Sequence, residues 1–215
     1  MKNILLFFLL LSLSAYSQTD SITFKYYVLD KDLSLICKLN DIQYIRLSCS
    51  DEKAKNKKFL ISFDEYLNGE KVSEDTTYLN CVDQIYEFKV GNDVYRYPFN
   101  NGLKMTFDQK DSIFEIRLAG ILQKDTFKMF VDYPAVNFDK YFAGDVNYSL
   151  RSINCSHNHE IKIQLNKLSP VLAYTPPFEN GMGVGSWCLL GMEEVDKWFQ
   201  KFNVNHYYII NFKVE

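Results

Sequence analysis

Residues 103–118 read Leu-Lys-Met-Thr-Phe-Asp-Gln-Lys-Asp-Ser-Ile-Phe-Glu-Ile-Arg-Leu. Leu103, Met105 and Phe107 fall on one side of an extended chain, with Lys104 and Thr106 on the other; Phe114, Ile116 and Leu118 repeat the pattern against Glu115 and Arg117. Successive side chains of a β-strand point to opposite faces, so each run buries one face and wets the other. The polar stretch Asp108-Gln109-Lys110-Asp111 between them makes a turn, and the whole predicts an antiparallel hairpin. A further turn at Lys124-Asp125 leads to a third strand, Phe127 to Tyr133, which Pro134 ends because it has no N–H for the ladder.

The same period extends in both directions. Upstream, Tyr86, Phe88 and Val90 share a strand face, as do Tyr95, Tyr97 and Phe99, with Gly91-Asn92-Asp93 between them. A two-residue turn at Asn92-Asp93 pairs Val90 with Tyr95, Phe88 with Tyr97 and Tyr86 with Phe99. A turn at Gly91-Asn92 slides the pairing by two and keeps the same faces together, whereas a three-residue turn misaligns them. The segments Ile22–Leu29, Leu33–Leu39 and Ile42–Cys49 are apolar and read as strands, and Phe59, Ile61 and Phe63 lead to the turn dipeptide Asn68-Gly69. Downstream, Val146, Tyr148 and Leu150 alternate, as do Ile161, Ile163 and Leu165. Short strands at this spacing predict a mainly β fold, an antiparallel β-sandwich.

Only the C-terminal region changes period. Val195, Trp198, Phe199 and Phe202 recur at helical spacing, predicting a helix over 193–202 with Glu193 and Glu194 near its positive end, a Glu193–Lys197 pair and Asn203 as its stop. A strand with Tyr208, Ile210, Phe212 and Val214 on one face follows, and the helix is expected to pack its aromatic face on that sheet. Pro134 and the stretch Asn137–Gly144 mark a boundary. Residues 18–134 then form the sandwich-like domain, and 135–215 a smaller β-rich domain carrying the helix.

The N-terminus addresses the chain. Lys2, the apolar run Ile4–Leu13 and Ala15-Tyr16-Ser17 before Gln18 make the three-part pattern of a signal peptide over residues 1–17. The run is shorter than the roughly 20 residues of a membrane span, and no later stretch is long and apolar enough to be one. A secreted or periplasmic protein is expected, with no transmembrane segment. The composition agrees with a folded domain: 47% of residues are apolar, and 17 Phe and 15 Tyr are far more than a disordered chain carries. A net charge of −3 argues against a nucleic-acid binder, which needs a basic surface.

Export permits disulfides, but the five cysteines, Cys37, Cys49, Cys81, Cys155 and Cys188, are odd in number and include no C-x-x-C pair. Buried thiols are expected ahead of one or two disulfides, because a chain of this size can build a core without staples.

Three stretches carry chemistry-capable residues. Cys155, His157 and His159 would share a face of an extended chain and offer zinc or copper ligands, although adjacent alternate residues depart from structural-zinc spacing and a polar hairpin tip is the simpler reading. Cys188, after Ser186-Trp187, has the look of a hydrolase nucleophile with His206 downstream. It does not open a helix, and His206 shares the core parity of Tyr208 and Ile210, so a structural histidine is the simpler reading there. Trp187 lies in the glycine-rich loop Gly181–Cys188 with Met182 nearby and Phe178 just before it. These three residues are the candidate binding set, since aromatic anchors dominate recognition hot spots and loops carry function.

No G-K-[ST] ending completes a phosphate loop, and no cofactor is expected. The sequence therefore points to an exported, non-catalytic β-rich protein that binds or scaffolds a protein or glycan ligand. The alternatives are a secreted hydrolase using Cys188 or a Cys155/His157/His159 metal site, and a structural assembly subunit built on strand edges.

Overall fold

The computed structural model describes residues 20–27, 29–55, 57–79, 85–90, 93–98, 114–133, 136–153, 159–179, 185–186, 191 and 193–215. Of 85–90, 93–98, 136, 179 and 185–186 it describes the backbone alone. The leader, residues 103–107, Cys81, Cys155, His157, Met182, Trp187 and Cys188 lie outside these residues.

Two antiparallel sheets make the fold. The first holds six strands in the order β11 (Glu160–Gln164), β1 (Ser21–Tyr26), β2 (Ile42–Cys49), β7 (Phe114–Gln123), β8 (Thr126–Tyr133) and β9 (Val136–Ala143). The second holds β10 (Ser149–Ser152), β12 (Ser169–Thr175), β15 (His206–Val214), β3 (Phe59–Leu67) and β4 (Glu70–Tyr78). Two small hairpins stand apart, β5 (Ile85–Val90) with β6 (Asp93–Pro98), and β13 (Phe178–Glu179) with β14 (Gly185–Ser186). The mainly β, sandwich-like architecture follows the alternation closely. Phe114, Ile116 and Leu118 of β7 are buried, while Glu115 and Arg117 face outward. The turn at Lys124 has positive φ, as does Asn68 at the β3–β4 turn beside Gly69 at +86°, where a side chain would be strained. The β5–β6 hairpin takes the Gly91-Asn92 alternative, with Val90 opposite Asp93, Phe88 opposite Tyr95 and Tyr86 opposite Tyr97.

The core between the sheets is aromatic. Phe24 meets Phe59, Phe114 and Phe212 edge-on, and Phe59 stacks on Phe114 at 4.1 Å. Each such side chain contributes roughly 1.5–3 kcal/mol by leaving water. On β7, Gly120 has no side chain because the Phe127 ring occupies that space: a Cβ there would lie 2.0 Å from Phe127 Cζ. Phe127 in turn stacks on Tyr174 at 4.2 Å, which joins the two sheets. Gln43 ties the sheets as well, donating from Nε2 to the Tyr148 carbonyl while its Oε1 accepts from the Leu150 N–H.

Strand β15 is buried on both faces. Tyr208, Ile210, Phe212 and Val214 enter the main core, whereas Tyr207 and Ile209 face a second cluster with Trp198, Phe178, Val204 and Tyr66. The helix near the C-terminus is shorter than its pattern. A 3-10 turn over Val195–Lys197 runs into α2 (Trp198–Phe202), and Asn203 closes it at a φ of 54°. Of its expected apolar face only Trp198 is fully buried. Lys197 pairs with Glu194 rather than Glu193, and Glu193 takes Lys201 instead, because the tighter 3-10 turn brings residues three apart together.

Three expectations need correction. Residues 33–39 are not a strand but most of α1 (Lys31–Leu39), opened by Asp30, whose Oδ1 accepts from the Leu33 N–H at 2.8 Å. The cap outweighs the apolar run. Pro134 does not mark a domain boundary, because β8 and β9 pair along their length across it and strands from both sides of it enter each sheet and the shared core. The strands on either side of residues 154–158 do not pair as a hairpin: β10 belongs to the five-stranded sheet and β11 to the six-stranded one.

Candidate functional site

The outer face of the six-stranded sheet is built by the even residues of β2 and β8 and the odd residues of β7 and β9. Register sets them in rows. Tyr44, Ala119, Phe130 and Asp139 lie side by side across four strands, next to the row Ile42, Ile121, Lys128 and Tyr141 and the row Arg46, Arg117, Asp132 and Asn137. Phe130 is 41% exposed and Tyr141 62%, which is unusual for rings in a well-formed sheet.

The charges among these rings neutralise one another. Arg46 Nη2 lies 2.8 Å from Glu115 Oε2, and Arg117 donates to Glu115 Oε1 from Nε at 3.0 Å and from Nη2 at 2.8 Å. Arg117 also faces Asp132 at 3.7 Å. Lys128 Nζ sits 3.0 Å from Asp139 and 5.9 Å from the Tyr141 ring centre, and the Tyr141 hydroxyl donates to the same carboxylate at 3.4 Å. The Arg46 guanidinium lies over the Tyr27 ring at 4.7 Å. Burial raises the Tyr44 phenol above its ordinary value, and the arginines only partly offset it.

A second polar group occupies one end of the other sheet. Glu65 Oε1 lies 2.9 Å from His206 Nε2 and accepts from the Tyr208 hydroxyl at 2.9 Å, while Oε2 accepts from Ser73 at 3.1 Å. The other ring nitrogen of His206 faces the Tyr148 hydroxyl at 3.5 Å, and the Tyr208 hydroxyl itself accepts from the Ala143 N–H. Partial burial pushes the Glu65 carboxyl up, but the bonds from His206, Tyr208 and Ser73 outweigh it and hold the carboxyl below its ordinary range. The carboxylate orients the imidazole, yet the ring nitrogens face Glu65 and a tyrosine rather than a hydroxyl or thiol nucleophile of acyl transfer. The cluster locks Tyr208 and Tyr148 to the sheet end.

On the outward side of this sheet Ser62, Asp64 and Asn211 are buried. Ser62 donates to Asp64 at 2.7 Å, Lys71 approaches the other carboxylate oxygen at 3.5 Å, and Asn211 Nδ2 makes no hydrogen bond among the described residues.

The residues singled out from the sequence are not gathered into one described site. His159 immediately precedes β11 with φ at 52° and stacks on Tyr26 at 6.1 Å; its companions Cys155 and His157 lie outside the described residues. No group of three metal-capable side chains occurs among the described residues. Phe178 is 2% exposed and packs on Phe202 at 4.6 Å in the second core cluster, while Trp187 and Met182 lie outside the described residues. His206 is half-buried against Tyr208, in keeping with a structural role. Cys37 and Cys49 are buried free thiols, and burial pushes Cys49 up to about 11, far from a reactive thiolate. Tyr44, Phe130 and Tyr141 do not stand out in the sequence. The parity of Tyr44 and Phe130 is readable as outward, Tyr141 falls in the stretch read as a boundary, and nothing in the chain announces that the three become neighbours.

No helix among the described residues is long and apolar enough to cross a membrane. Comparison with protein-family models, curated proteins and solved structures returns no match.

Proposed function

We propose that this is an exported, non-catalytic binding protein whose ligand lies on the outer face of the six-stranded sheet. The observation that carries this reading is the pair of exposed rings on a four-stranded surface, Phe130 in the row of Tyr44 and Tyr141 in the row beside it. An antiparallel sheet can leave one face to water, and that face is ordinarily polar. Rings left there cost solvation and return it only when a ligand covers them. The signal-peptide pattern of residues 1–17 supports delivery outside the cytoplasm, where a rigid sandwich with a core of this density is a durable scaffold.

The test is binding of the purified mature protein to cell-envelope and extracellular material of the producing organism. Saturable binding is expected, and Phe130→Ala and Tyr141→Ala are each expected to weaken it about tenfold, the loss of one ring contact worth about 1.4 kcal/mol. Both variants should keep the wild-type circular dichroism spectrum. Binding that survives both substitutions places the ligand elsewhere, and no binding at all removes the proposal.

A further inference from the structure

We infer that the ligand of this face is a neutral glycan chain. The inference rests on the reading of the outer sheet face as the binding surface and concerns what that surface selects. Its first basis is spacing. Phe130 and Tyr141 are diagonal cross-strand neighbours, which sets them roughly 7–8 Å apart. Tyr44 stands two strands from Phe130, about 9–10 Å away across Ala119. Rings at these intervals on one open sheet face can each take a sugar unit of one extended chain, because the C–H faces of pyranoses are apolar and stack on aromatic planes.

The second basis is charge. The ionised side chains on this face of β2, β7, β8 and β9 are Arg46, Arg117 and Lys128 against Glu115, Asp132 and Asp139, and each lies within ion-pair distance of an opposite partner on the face. The face therefore offers no single-sign field to an acidic polysaccharide, a nucleic acid or an anionic membrane. The same charges disfavour a protein partner. The centre of a protein interface is depleted of charged residues, because burying them strips their water without repaying it. Here Lys128 and Asp139 sit directly between the two most exposed rings of this face and would have to be desolvated.

Sugar hydroxyls avoid that cost. They donate to a carboxylate and accept from an ammonium or guanidinium as water does, and these groups keep spare capacity: a carboxylate has about four acceptor sites and an ammonium three donors. Asn137 and Asp132 line the next row and extend the polar rim. Apolar rings flanked by paired, still-hydratable charges are thus matched to a ligand with apolar faces and a hydroxyl edge.

Two measurements test this. In the first, the mature protein is run in native gels containing a neutral polysaccharide, from a set of glucan, mannan, galactan and xylan, with polygalacturonate as the acidic control. Retardation by at least one neutral polymer is expected. It should persist in about 0.5 M salt, where the screening length falls to a few ångströms, and be lost in Phe130→Ala and Tyr141→Ala. Retardation by polygalacturonate alone, abolished by salt, overturns the inference. In the second, envelope material is treated with protease or with periodate before binding is measured. Loss after periodate but not after protease supports a glycan. Loss after protease but not after periodate assigns a protein ligand and refutes the glycan, while the proposed binding function stands. Absence of binding to untreated material refutes both.

Discussion

Trp198→Ala separates packing from recognition in the C-terminal region. Trp198 is fully buried, tilted against Tyr207 at 5.1 Å, and its Nε1–H donates to the Glu193 carbonyl at 3.2 Å. An indole removes about 150–250 Å² from water, about 4–6 kcal/mol at 25 cal/mol per Å². Alanine keeps a small share of this, so the expected cost is about 3–5 kcal/mol. The lost hydrogen bond adds little, because Glu193 is only half-buried and water can replace the donor. The cavity cannot close easily, since Tyr207 and Ile209 belong to the central strand β15, which is held by β12 on one side and β3 on the other. Urea unfolding of the variant should lower the midpoint with an unchanged slope. A cost below about 1.5 kcal/mol would refute the closed-core account, since that is what a surface-tolerant site would give. Trp187→Ala, measured alongside, is expected to cost less. Equal costs would make Trp187 a packing residue, as Phe178 is, and remove Trp187 and Met182 as a recognition element.

Four further outcomes follow from the same geometry. Gly120→Ala places a methyl in the Phe127 ring, 2.0 Å from Cζ, and should cost about 1–3 kcal/mol or more, seen as a lower melting temperature; an unchanged temperature would show that the Phe127–Tyr174 stack moves freely. Glu65 is held below its ordinary value of 4.5, so its carboxylate stabilises the fold above that pH and loses the contribution as pH falls through the lowered value. Wild type should therefore lose stability more steeply than Glu65→Gln on acidification below about pH 4.5, and parallel curves would show that the cluster is not coupled to folding. Leu39, 74% exposed on α1, should tolerate Leu39→Gln within about 0.5 kcal/mol by chemical denaturation, and a larger loss would mean the helix is packed more deeply. Elemental analysis of the purified protein should return no stoichiometric zinc or copper; one equivalent, lost in His157→Ala and His159→Ala, would establish the metal reading of Cys155, His157 and His159 instead.

Strands are legible in the sequence where one face is buried and the other wet. Ile42–Cys49 and Phe114–Tyr133 carry that contrast and stand as read, the latter as two strands around the Lys124 turn. Legibility fails where the contrast vanishes. All of β4 except Thr77 is exposed at the edge of its sheet, so Glu70–Tyr78 has no apolar period to read. β9 reads as a linker because Asp139, Lys140 and Asn137 interrupt its apolar residues, although Phe138 and Phe142 both reach Phe63. α1 is hidden as well. Leu33, Leu35, Ile36 and Leu39 are all exposed and Cys37 is the one buried residue of the helix, so no buried face marks a helical period.

The candidate site is illegible for a topological reason. Alternation assigns Tyr44 and Phe130 to outward positions and leaves Tyr141 in a stretch that reads as a linker, and the adjacency of all three depends on the order β2-β7-β8-β9, in which β2 and β7 are far apart in sequence. Local pattern constrains a hairpin, where the turn fixes the partner; it does not constrain a pairing closed across several intervening strands. The same topology weighs on the assembly alternative. A subunit that polymerises through strand edges needs an edge whose N–H and C=O groups another strand can approach. Among the described residues the longest strand at a sheet edge is β4, and it carries Glu70, Lys71, Glu74 and Asp75, with Asp75 engaged by Lys140 of β9. Charges along an edge are what monomeric sheets use to repel a docking strand. The exposed apolar surface of the six-stranded sheet lies instead on its face, where a ligand can be covered by side chains without any backbone pairing. An edge-joined assembly would leave Phe130 and Tyr141 in water, whereas a ligand on the face accounts for the rings and for the charged edge together.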